Sequence, residues 1–413
     1  MTESKKAWNG LVLGGVMAAA FAAGGGDGRG QDWPQYRGPE RTGVSEETGL
    51  LSDWPQEGPR VVWRAPLGEG YSGVSVVGGK VYTMYGRDGG EFVACLDAGD
   101  GHELWTRRLD ANHPSQQGGG PRSTPTVRGG MVYALGAAGK LAALRADSGQ
   151  VVWHHDLRQE LNARIPYWGL SGSPLVEGKL LLVQAGGRDG RSLVAFDKAG
   201  GQVVWTSQED RAGYSSPVAA TIHGTRQIVF FTGEALVAVA PDDGHLLWRQ
   251  PWETSYHVNA AMPVLIPPDR VFVSSSYDVG AAVFRIDGEG GQASVHEVWR
   301  SRVMKNHFNS SILHQGYLYG FDSATLKCIS AASGQEKWAQ RGFGKGSLLL
   351  ADGRLIILGE RGQLALAEAT PEGFRQKARV QILKGKTWTM PALSRGRLYL
   401  RDQAELVALD LAG

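Results

Sequence analysis

The sequence predicts an all-β protein: an eight-bladed β-propeller with four antiparallel strands per blade and a ring closed by an N-terminal strand. Three observations carry this prediction, namely a repeated glycine–tryptophan spacing, an apolar strand before it and a hairpin before that strand. The spacing Gly-x-x-x-Trp occurs at Gly101–Trp105, Gly149–Trp153, Gly201–Trp205, Gly244–Trp248 and Gly334–Trp338. A self-similar unit that returns every roughly 40–50 residues is typical of a propeller or a solenoid.

Each glycine–tryptophan strand follows an apolar strand, most often of Leu-x-Ala type, and each apolar strand follows a hairpin. The apolar strands cover residues 92–97, 141–145, 193–197, 236–240 and 326–330. The hairpins cover residues 73–82, 123–133, 173–181, 216–230, 262–272, 311–319, 347–356 and 390–399. Period-2 alternation broken by turn residues predicts β-hairpins. Four strands in each of eight units of about 44 residues fit a propeller.

Three units depart from the pattern, and the last of them predicts how the ring closes. The fifth unit has an insertion over residues 287–292, and the seventh lacks its tryptophan, so that residues 371–381 fill the place of its outer strand. The eighth stops after residues 406–410, while an unmatched strand-like segment lies at residues 60–67. We therefore expect Val61–Trp63 to complete the eighth blade, because closure removes an exposed sheet edge.

The repeat tryptophans and the cysteines are predicted to be structural. A tryptophan on an outer strand buries a large apolar surface against the next blade, and the glycine before it is expected in a turn. Cys95 and Cys328 are the only cysteines, and they precede Trp105 and Trp338 by the same interval. Other units carry alanine at this position, so we expect both thiols to be buried, reduced and far apart.

Composition and the N-terminus restrict the class of protein. The formal net charge of +2 and the scattered basic residues give no electrostatic basis for binding nucleic acid. Residues 11–23 are an apolar core too short to span a membrane comfortably. We predict a signal peptide over residues 1–23, with an uncleaved anchor as the alternative, then an arm over 24–59 and the propeller over 60–413. This organisation predicts a periplasmic or secreted protein with no membrane span after cleavage.

The repeat Leu-x-Ala-Leu-Asp-x-x-x-Gly-x-x-x-Trp, as at residues 92–105 and 193–205, resembles the pyrroloquinoline-quinone (PQQ) type propeller repeat. The resemblance covers about 350 residues. Asp32–Pro39 and Asp53–Gln56 look like the N-terminal arm of exported bacterial PQQ-like propellers. That group includes proteins similar to quinoprotein alcohol dehydrogenases, to polyvinyl alcohol dehydrogenase and to BamB.

For the dehydrogenase branch, the resemblance implies PQQ, a Ca²⁺ ion, a disulfide between adjacent cysteines and a catalytic aspartate. The sequence has no adjacent cysteines and no Cys-x-x-Cys-His for a covalent haem. It has no run of carboxylates at the spacing of a Ca²⁺ site. A full quinoprotein active site is therefore not expected, although PQQ remains a possible cofactor.

The loops that join each outer strand to the next inner strand surround one mouth of a propeller channel, and here they are rich in aromatic and basic residues. Aromatic planes with convergent polar groups suit a ring-shaped or sugar-like ligand. The candidate ligand-binding residues are Arg122, Tyr167, Trp168, Tyr214, His257, Asn259, Lys305, His307, Asn309, Lys345 and Trp388. The cations favour an anionic ligand, and PQQ and an acidic saccharide both fit. No catalytic residue and no metal site are predicted, since nothing completes a ligand set around His257 and His307.

Two functions remain open from the sequence, because one fold hosts many activities. The first is a monomeric binding or scaffold module that takes a small anionic molecule or a protein partner. The second is a PQQ-dependent oxidoreductase acting on an alcohol, a sugar or polyvinyl alcohol. A carboxylate beside the bound quinone would favour the second, and exposed apolar side chains along the blade edges would favour the first.

Overall fold

The computed structural model describes residues 31–288 and 293–413, and its fold is the predicted eight-bladed propeller. The predicted signal peptide lies outside the described residues, as does most of the insertion predicted in the fifth unit. No helix in the described part of the chain combines the length and the apolar character needed to cross a bilayer. The division into arm and propeller at residue 60 stays a prediction.

The first four blades follow one another along the chain, each with its inner strand first. Their strands are β3 (Ser75–Val77), β4 (Lys80–Arg87), β5 (Gly90–Asp97), β6 (Glu103–Ala111); β7 (Thr126–Arg128), β8 (Met131–Leu135), β9 (Lys140–Arg145), β10 (Val151–Asp156); β11 (Leu175–Glu177), β12 (Leu180–Gln184), β13 (Leu193–Asp197), β14 (Val203–Ser207); and β15 (Val218–Ile222), β16 (Thr225–Phe231), β17 (Ala235–Val239), β18 (Leu246–Pro251). A short helix, α1 (Leu157–Glu160), follows β10, and a 3-10 turn over Ser255–His257 follows β18.

The remaining blades continue the same order, and the eighth takes its outer strand from the N-terminal side of the chain. Their strands are β19 (Val264–Ile266), β20 (Arg270–Ser275), β21 (Gly280–Asp287), β22 (Ser294–Ser301); β23 (Ile312–His314), β24 (Tyr317–Asp322), β25 (Thr325–Ser330), β26 (Glu336–Gln340); β27 (Ser347–Ala351), β28 (Arg354–Leu358), β29 (Gln363–Glu368), β30 (Gln376–Gln381); and β31 (Ala392–Ser394), β32 (Arg397–Arg401), β33 (Glu405–Asp410), β2 (Val61–Pro66).

Strand β2 closes the ring, as the sequence predicts. It pairs antiparallel with β33, with Val61 opposite Leu409 and Trp63 opposite Ala408. The eighth sheet therefore has the order β2-β33-β32-β31. Because β2 and β33 come from opposite ends of the propeller sequence, this pairing joins the first blade to the last.

The seventh blade departs from the predicted four strands. A short strand, β1 (Val44–Ser45), pairs in parallel with the inner strand β27 and makes this sheet five-stranded. Gly43 O accepts a hydrogen bond from Leu350 N at 2.9 Å. A segment of chain inside the channel thus pairs the inner edge of this sheet, which would otherwise expose unpaired backbone groups.

Neighbouring blades contact each other through the tryptophan of one Gly-x-x-x-Trp repeat and the glycine of the next. Gly149 has a φ of +67°, which confirms its predicted turn role. The indole of Trp105 in the preceding blade lies over this glycine, so that a Cβ at Gly149 would come within 2.6 Å of the ring. Trp105 Nε1 donates to Ala146 O at 3.1 Å. The same packing occurs for Trp63 over Gly101, Trp153 over Gly201, Trp205 over Gly244 and Trp299 over Gly334.

The two cysteines occupy equivalent positions in the first and sixth blades, as predicted. Cys95 lies opposite Trp105 and Cys328 lies opposite Trp338 in their sheets. Both thiols are free and fully buried. Cys95 packs in an apolar cluster between the first and second blades, beside Val132.

Candidate ligand-binding site

The eight loops that lead from an outer strand to the next inner strand meet around one cavity at the mouth of the channel. The cavity volume is about 380 Å³, within the range of small-molecule sites. Each loop contributes a lining residue, in chain order Tyr71, Arg122, Trp168, Tyr214, Val258, His307, Lys345 and Trp388. The fold dictates this arrangement, because every inner strand starts at the same face of the propeller.

An aromatic cluster centred on Trp388 forms one wall of the cavity. The ring centre of Tyr71 lies 5.5 Å from that of Trp388, and the ring centre of Phe308 lies 4.8 Å from it. Trp388 Nε1 donates to Glu360 Oε1 at 2.9 Å, which fixes the orientation of the indole. Trp388 is therefore a fixed part of the cavity wall.

A second aromatic group comes from the loops before the third and fourth blades. The ring of Trp168 lies 5.7 Å from that of Tyr214, at an interplanar angle of 58°. Tyr167 packs edge-on against Trp168 at 5.1 Å. It is 64% exposed and outside the cavity lining, so it extends the aromatic surface outward from the mouth.

Arg122 and Lys345 supply the positive charge of the cavity lining. Arg122 Nη1 donates to Gly120 O at 2.7 Å, and its guanidinium lies 5.5 Å from the centre of the Tyr71 ring. Burial lowers the pKa of Arg122. Lys345 Nζ lies 5.7 Å from the centre of the Trp388 ring. Neither cation forms a direct ion pair with a carboxylate of the described residues; the guanidinium of Arg122 donates to the carbonyl oxygens of Gly120 and Gly118 instead.

Two polar side chains in the lining have buried nitrogen atoms without a hydrogen-bond partner, His307 Nδ1 and Asn309 Nδ2. Burial and the charge of Lys345 lower the pKa of His307 to about 4, so its ring is neutral at physiological pH. Asn309 Nδ2 can only donate. A buried donor without an acceptor costs about 1–3 kcal/mol, and a ligand that presents oxygen atoms removes that cost.

The structure brings seven of the eleven candidate residues together: Arg122, Trp168, Tyr214, His307, Asn309, Lys345 and Trp388. The other four, including Tyr167, lie outside the lining. Asn259 is fully buried, and its amide donates to Thr232 O at 2.8 Å, which gives it a structural role.

His257 and Lys305 are held away from the cavity by local contacts. His257 Nδ1 lies 3.3 Å from Gly233 O. Lys305 Nζ lies 3.6 Å from Asp278 and 3.9 Å from Asp322, so its charge is compensated outside the cavity. Position in a mouth loop therefore did not suffice to predict which side chains turn inward.

The sequence-based candidate list missed four aromatic residues of the lining: Tyr36, Tyr71, Tyr277 and Phe308. Tyr71 lies in the mouth loop before the first blade. Phe308 lies between the candidates His307 and Asn309, so the sequence around it could have identified it. Tyr277 comes from the turn between β20 and β21, a turn inside a blade, and no repeat position signalled it. Tyr36 comes from the segment that precedes the propeller, within the noted 32–39 motif.

The lining fits the organic part of PQQ better than it fits a metal. Two cations, unpartnered donors and several rings suit a planar molecule with carboxylate groups. Among the described residues that line the cavity, none carries a carboxylate, whereas Ca²⁺ is bound mainly by carboxylate and carbonyl oxygens. The nearby Glu360 is already bonded to Trp388 and to the backbone N–H of Lys345.

The family model described as "Outer membrane protein assembly factor BamB" matches residues 39–168 and 159–340. These two matches cover more than half of the chain. The chain belongs to this family of PQQ-like propellers. The BamB family assignment agrees with the resemblance noted in the sequence and with the observed fold.

Individual relatives come from both branches of PQQ-like proteins. The quinoprotein alcohol dehydrogenase PedH of Pseudomonas putida is 27% identical over 140 residues, which is 32% of this chain and 23% of that protein. The chain thus matches less than a quarter of the length of this curated relative. BamB from Moraxella catarrhalis superimposes with a TM-score of 0.61 at 12% identity, over 85% of this chain and 97% of that one. Quinohemoprotein alcohol dehydrogenase from Comamonas testosteroni gives 0.62 at 12% identity, over 92% and 81%. At this identity, the two structural likenesses show the fold alone.

Proposed function

We propose that this chain is an exported binding or scaffold module that takes an anionic planar or sugar-like molecule in its mouth cavity, without a complete quinoprotein active site. Its place of action is the periplasm or the exterior, in keeping with the apolar segment at residues 11–23. The ligand is held by its acidic groups and by its ring faces.

One observation carries the proposal: the cavity lining has two cations without a direct ion pair, one amide donor without an acceptor, and no carboxylate among its described residues. Arg122 and Lys345 form no ion pair there, and Asn309 Nδ2 has no acceptor. Charge-assisted hydrogen bonds to an anion satisfy such groups and are stronger than neutral ones. Rings beside these donors add contacts for a flat ligand or for the apolar face of a sugar.

The outer strands support the scaffold part of the proposal. Aliphatic side chains near the start of several of these strands are unusually exposed, as in Val152 at 44% and Val204 at 50%. In the sixth blade, the exposed position before the tryptophan holds Lys337 instead. Exposed β-branched residues on edge strands suit contact with another protein. This is the feature that favours the scaffold function over the oxidoreductase.

A PQQ-dependent oxidoreductase is the second candidate function, and the 27% identity to a quinoprotein alcohol dehydrogenase favours it. Such an enzyme needs a base beside the quinone and a metal to polarise it. The described cavity lining offers neutral His307 but no carboxylate. The two candidate functions therefore predict different effects of Ca²⁺ on ligand binding.

Calorimetric titration of the purified chain with PQQ, with galacturonate and with galactose tests the proposal. Each titration is carried out in chelated buffer and again with Ca²⁺. We expect the acidic ligands to bind with or without Ca²⁺, while the uncharged sugar binds far more weakly. Binding that requires Ca²⁺, followed by reduction of an artificial electron acceptor when an alcohol is added, would favour the oxidoreductase. No binding of either acid would refute the anion site.

A further inference from the structure

The segment that precedes the propeller runs into the channel from the face opposite the mouth. Trp33 forms a bridge with Val76, with Trp33 N donating to Val76 O at 2.8 Å. The carboxylate of Asp32 accepts from Gly78 N in the turn that follows the inner strand β3. Inner strands begin at the mouth, so this turn lies at the other face. The chain between Asp32 and Val44 therefore enters the channel at its far end.

Two arginines anchor this segment across the channel axis. Arg41 donates to Thr126 Oγ1 at 3.5 Å in the second blade, to Ser173 O at 3.2 Å beside the third and to Pro217 O at 2.9 Å beside the fourth. Arg37 donates to Ser311 O at 2.8 Å, beside the sixth blade. These contacts reach the inner ends of blades on different sides of the ring.

The sequence of the segment explains its compact turn. Gly38 has a φ of +85°, and a Cβ there would come within 2.8 Å of the Trp33 ring, so glycine suits this position. Gln35 ties the turn together: its Nε2 donates to Pro39 O at 2.7 Å, and its Oε1 accepts from Arg41 Nε at 2.9 Å. The segment is therefore preorganised to present Arg37 and Arg41.

Both guanidinium groups are buried without a compensating charge. Arg37 is 2% exposed and Arg41 is 4% exposed. Neither forms an ion pair with a described carboxylate; their partners are neutral oxygens. Burial lowers the pKa of Arg37 to about 10 and that of Arg41 to about 9, so both remain charged at neutral pH. An anion bound nearby would gain from these charges, because the interior screens them weakly.

The same segment forms the floor of the mouth cavity. Tyr36, next to Arg37, lines the cavity, and so does Ser173, whose carbonyl oxygen accepts from Arg41. Arg37 is thus adjacent in sequence to one residue of the lining, and Arg41 is hydrogen-bonded to another.

We propose that residues 32–44 are a charged plug that completes the anion site from below, so that docking of the plug and binding of an anion stabilise each other. The inference rests on the proposed function, because it requires an anion in the cavity. Thermodynamic reciprocity then requires that a ligand held partly by the plug strengthens the docking of the plug. Arg41 acts as a positioning and electrostatic residue and Tyr36 as a specificity-determining contact.

Calorimetry with PQQ in chelated buffer tests the electrostatic part. Arg41→Gln should weaken PQQ binding by about tenfold and reduce its dependence on salt, whereas Arg41→Lys, which keeps the charge, should recover most of the affinity. Arg145→Gln, which removes an exposed arginine at the end of β9, is the matched control and should leave affinity unchanged. Equal affinity in Arg41→Gln and the parent chain would overturn the plug inference while leaving the anion site intact.

Hydrogen–deuterium exchange on the unmodified chain tests the coupling without any substitution. PQQ should slow exchange at the amide of Trp33, whose hydrogen bond to Val76 O joins the plug to the first blade, and at the amide of Gly43, whose hydrogen bond to Arg37 O closes the turn of the plug. Binding of PQQ with unchanged exchange over residues 31–45 would overturn the coupling alone. Failure of PQQ and galacturonate to bind the unmodified chain would overturn the anion site and the plug's role in it together.

Discussion

The indole of Trp63 lies directly over Gly101. A Cβ at Gly101 would come within 2.6 Å of the ring, and Trp63 Nε1 donates to Ala98 O at 3.0 Å. Trp63 belongs to the strand that completes the eighth blade, whereas Gly101 belongs to the first. This contact therefore closes the circle in the same way that other repeat tryptophans join successive blades.

Truncation of Trp63 should destabilise the whole ring. Trp63→Ala removes a buried indole and its hydrogen bond, so we expect a loss of about 3–5 kcal/mol in the free energy of unfolding. Val61→Ala, at a 41% exposed position of the same strand, should cost far less. Calorimetric melting of both variants checks this. Equal melting temperatures for the two would show that the eighth blade is not closed through this contact.

Replacing Gly101 by alanine should lower the free energy of unfolding through backbone strain and through a collision with the Trp63 ring. Gly101 and Gly78 both have positive φ, +80° and +58°, but a Cβ at Gly78 meets nothing within 4 Å. Gly78→Ala should therefore cost only about 1 kcal/mol of backbone strain, whereas Gly101→Ala adds a collision with the Trp63 ring. Chemical denaturation of the two variants measures the difference. A Gly101→Ala chain as stable as Gly78→Ala would contradict the packing described above.

The fold could be predicted from the sequence because the contacts between blades are periodic. Gly101 and Trp105 recur as a pair in each regular unit, so their spacing reveals the blade even where the neighbouring residues differ. Strand β1 could not be predicted, since Val44 and Ser45 carry no repeat signal and pair only because a segment enters the channel.

The two thiols should be inert in the folded protein. Burial raises the pKa of Cys95 and that of Cys328 to about 11, and the thiolate is the reactive form. A thiol reagent without reductant should label neither cysteine in the native chain and both after denaturation. Absence of labelling in denaturant would indicate a disulfide, in conflict with the separate positions of the two residues.

Glu91 should make stability fall as pH rises. Its Oε2 accepts from Ala137 N at 2.9 Å, its Oε1 has no partner, and Asp110 lies opposite it in the sheet. Burial, reinforced by the charge of Asp110 and opposed by that of Arg122, raises the pKa of Glu91 to about 7. Because the pKa of Glu91 is higher in the folded than in the unfolded state, the protonated carboxyl favours the folded state. This contribution to stability is complete below the pKa of the unfolded chain and is lost as pH rises through about 7.

Replacing Glu91 by glutamine isolates this effect. Glu91→Gln should flatten the pH dependence of unfolding between about pH 4.5 and 8 and should be more stable than the parent above pH 7, by up to about 3 kcal/mol. Glu103→Gln, at an exposed position of β6, is the control. A parent chain whose stability does not change over this range would contradict a protonated Glu91.

The site was harder to predict than the fold, for a physical reason. The position of a residue within the sequence repeat predicts that it lies in a mouth loop, but local hydrogen bonds decide whether its side chain faces the cavity. Asn259 turns into the core to satisfy Thr232 O, and Lys305 turns toward Asp278. Tyr36 enters from outside the repeats altogether, so no spacing within the repeats could identify it.

Calorimetric titration of PQQ into the Arg122→Ala/Lys345→Ala double variant tests the central claim, anion binding in the mouth cavity, most directly. Each charge-assisted contact contributes about 1.5–3 kcal/mol, so the double variant should lose at least about a hundredfold in affinity while remaining folded. Lys305→Ala removes a mouth-loop cation that lies outside the cavity and should bind as the parent does. A double variant that binds PQQ as tightly as the parent and the Lys305→Ala control would contradict the account.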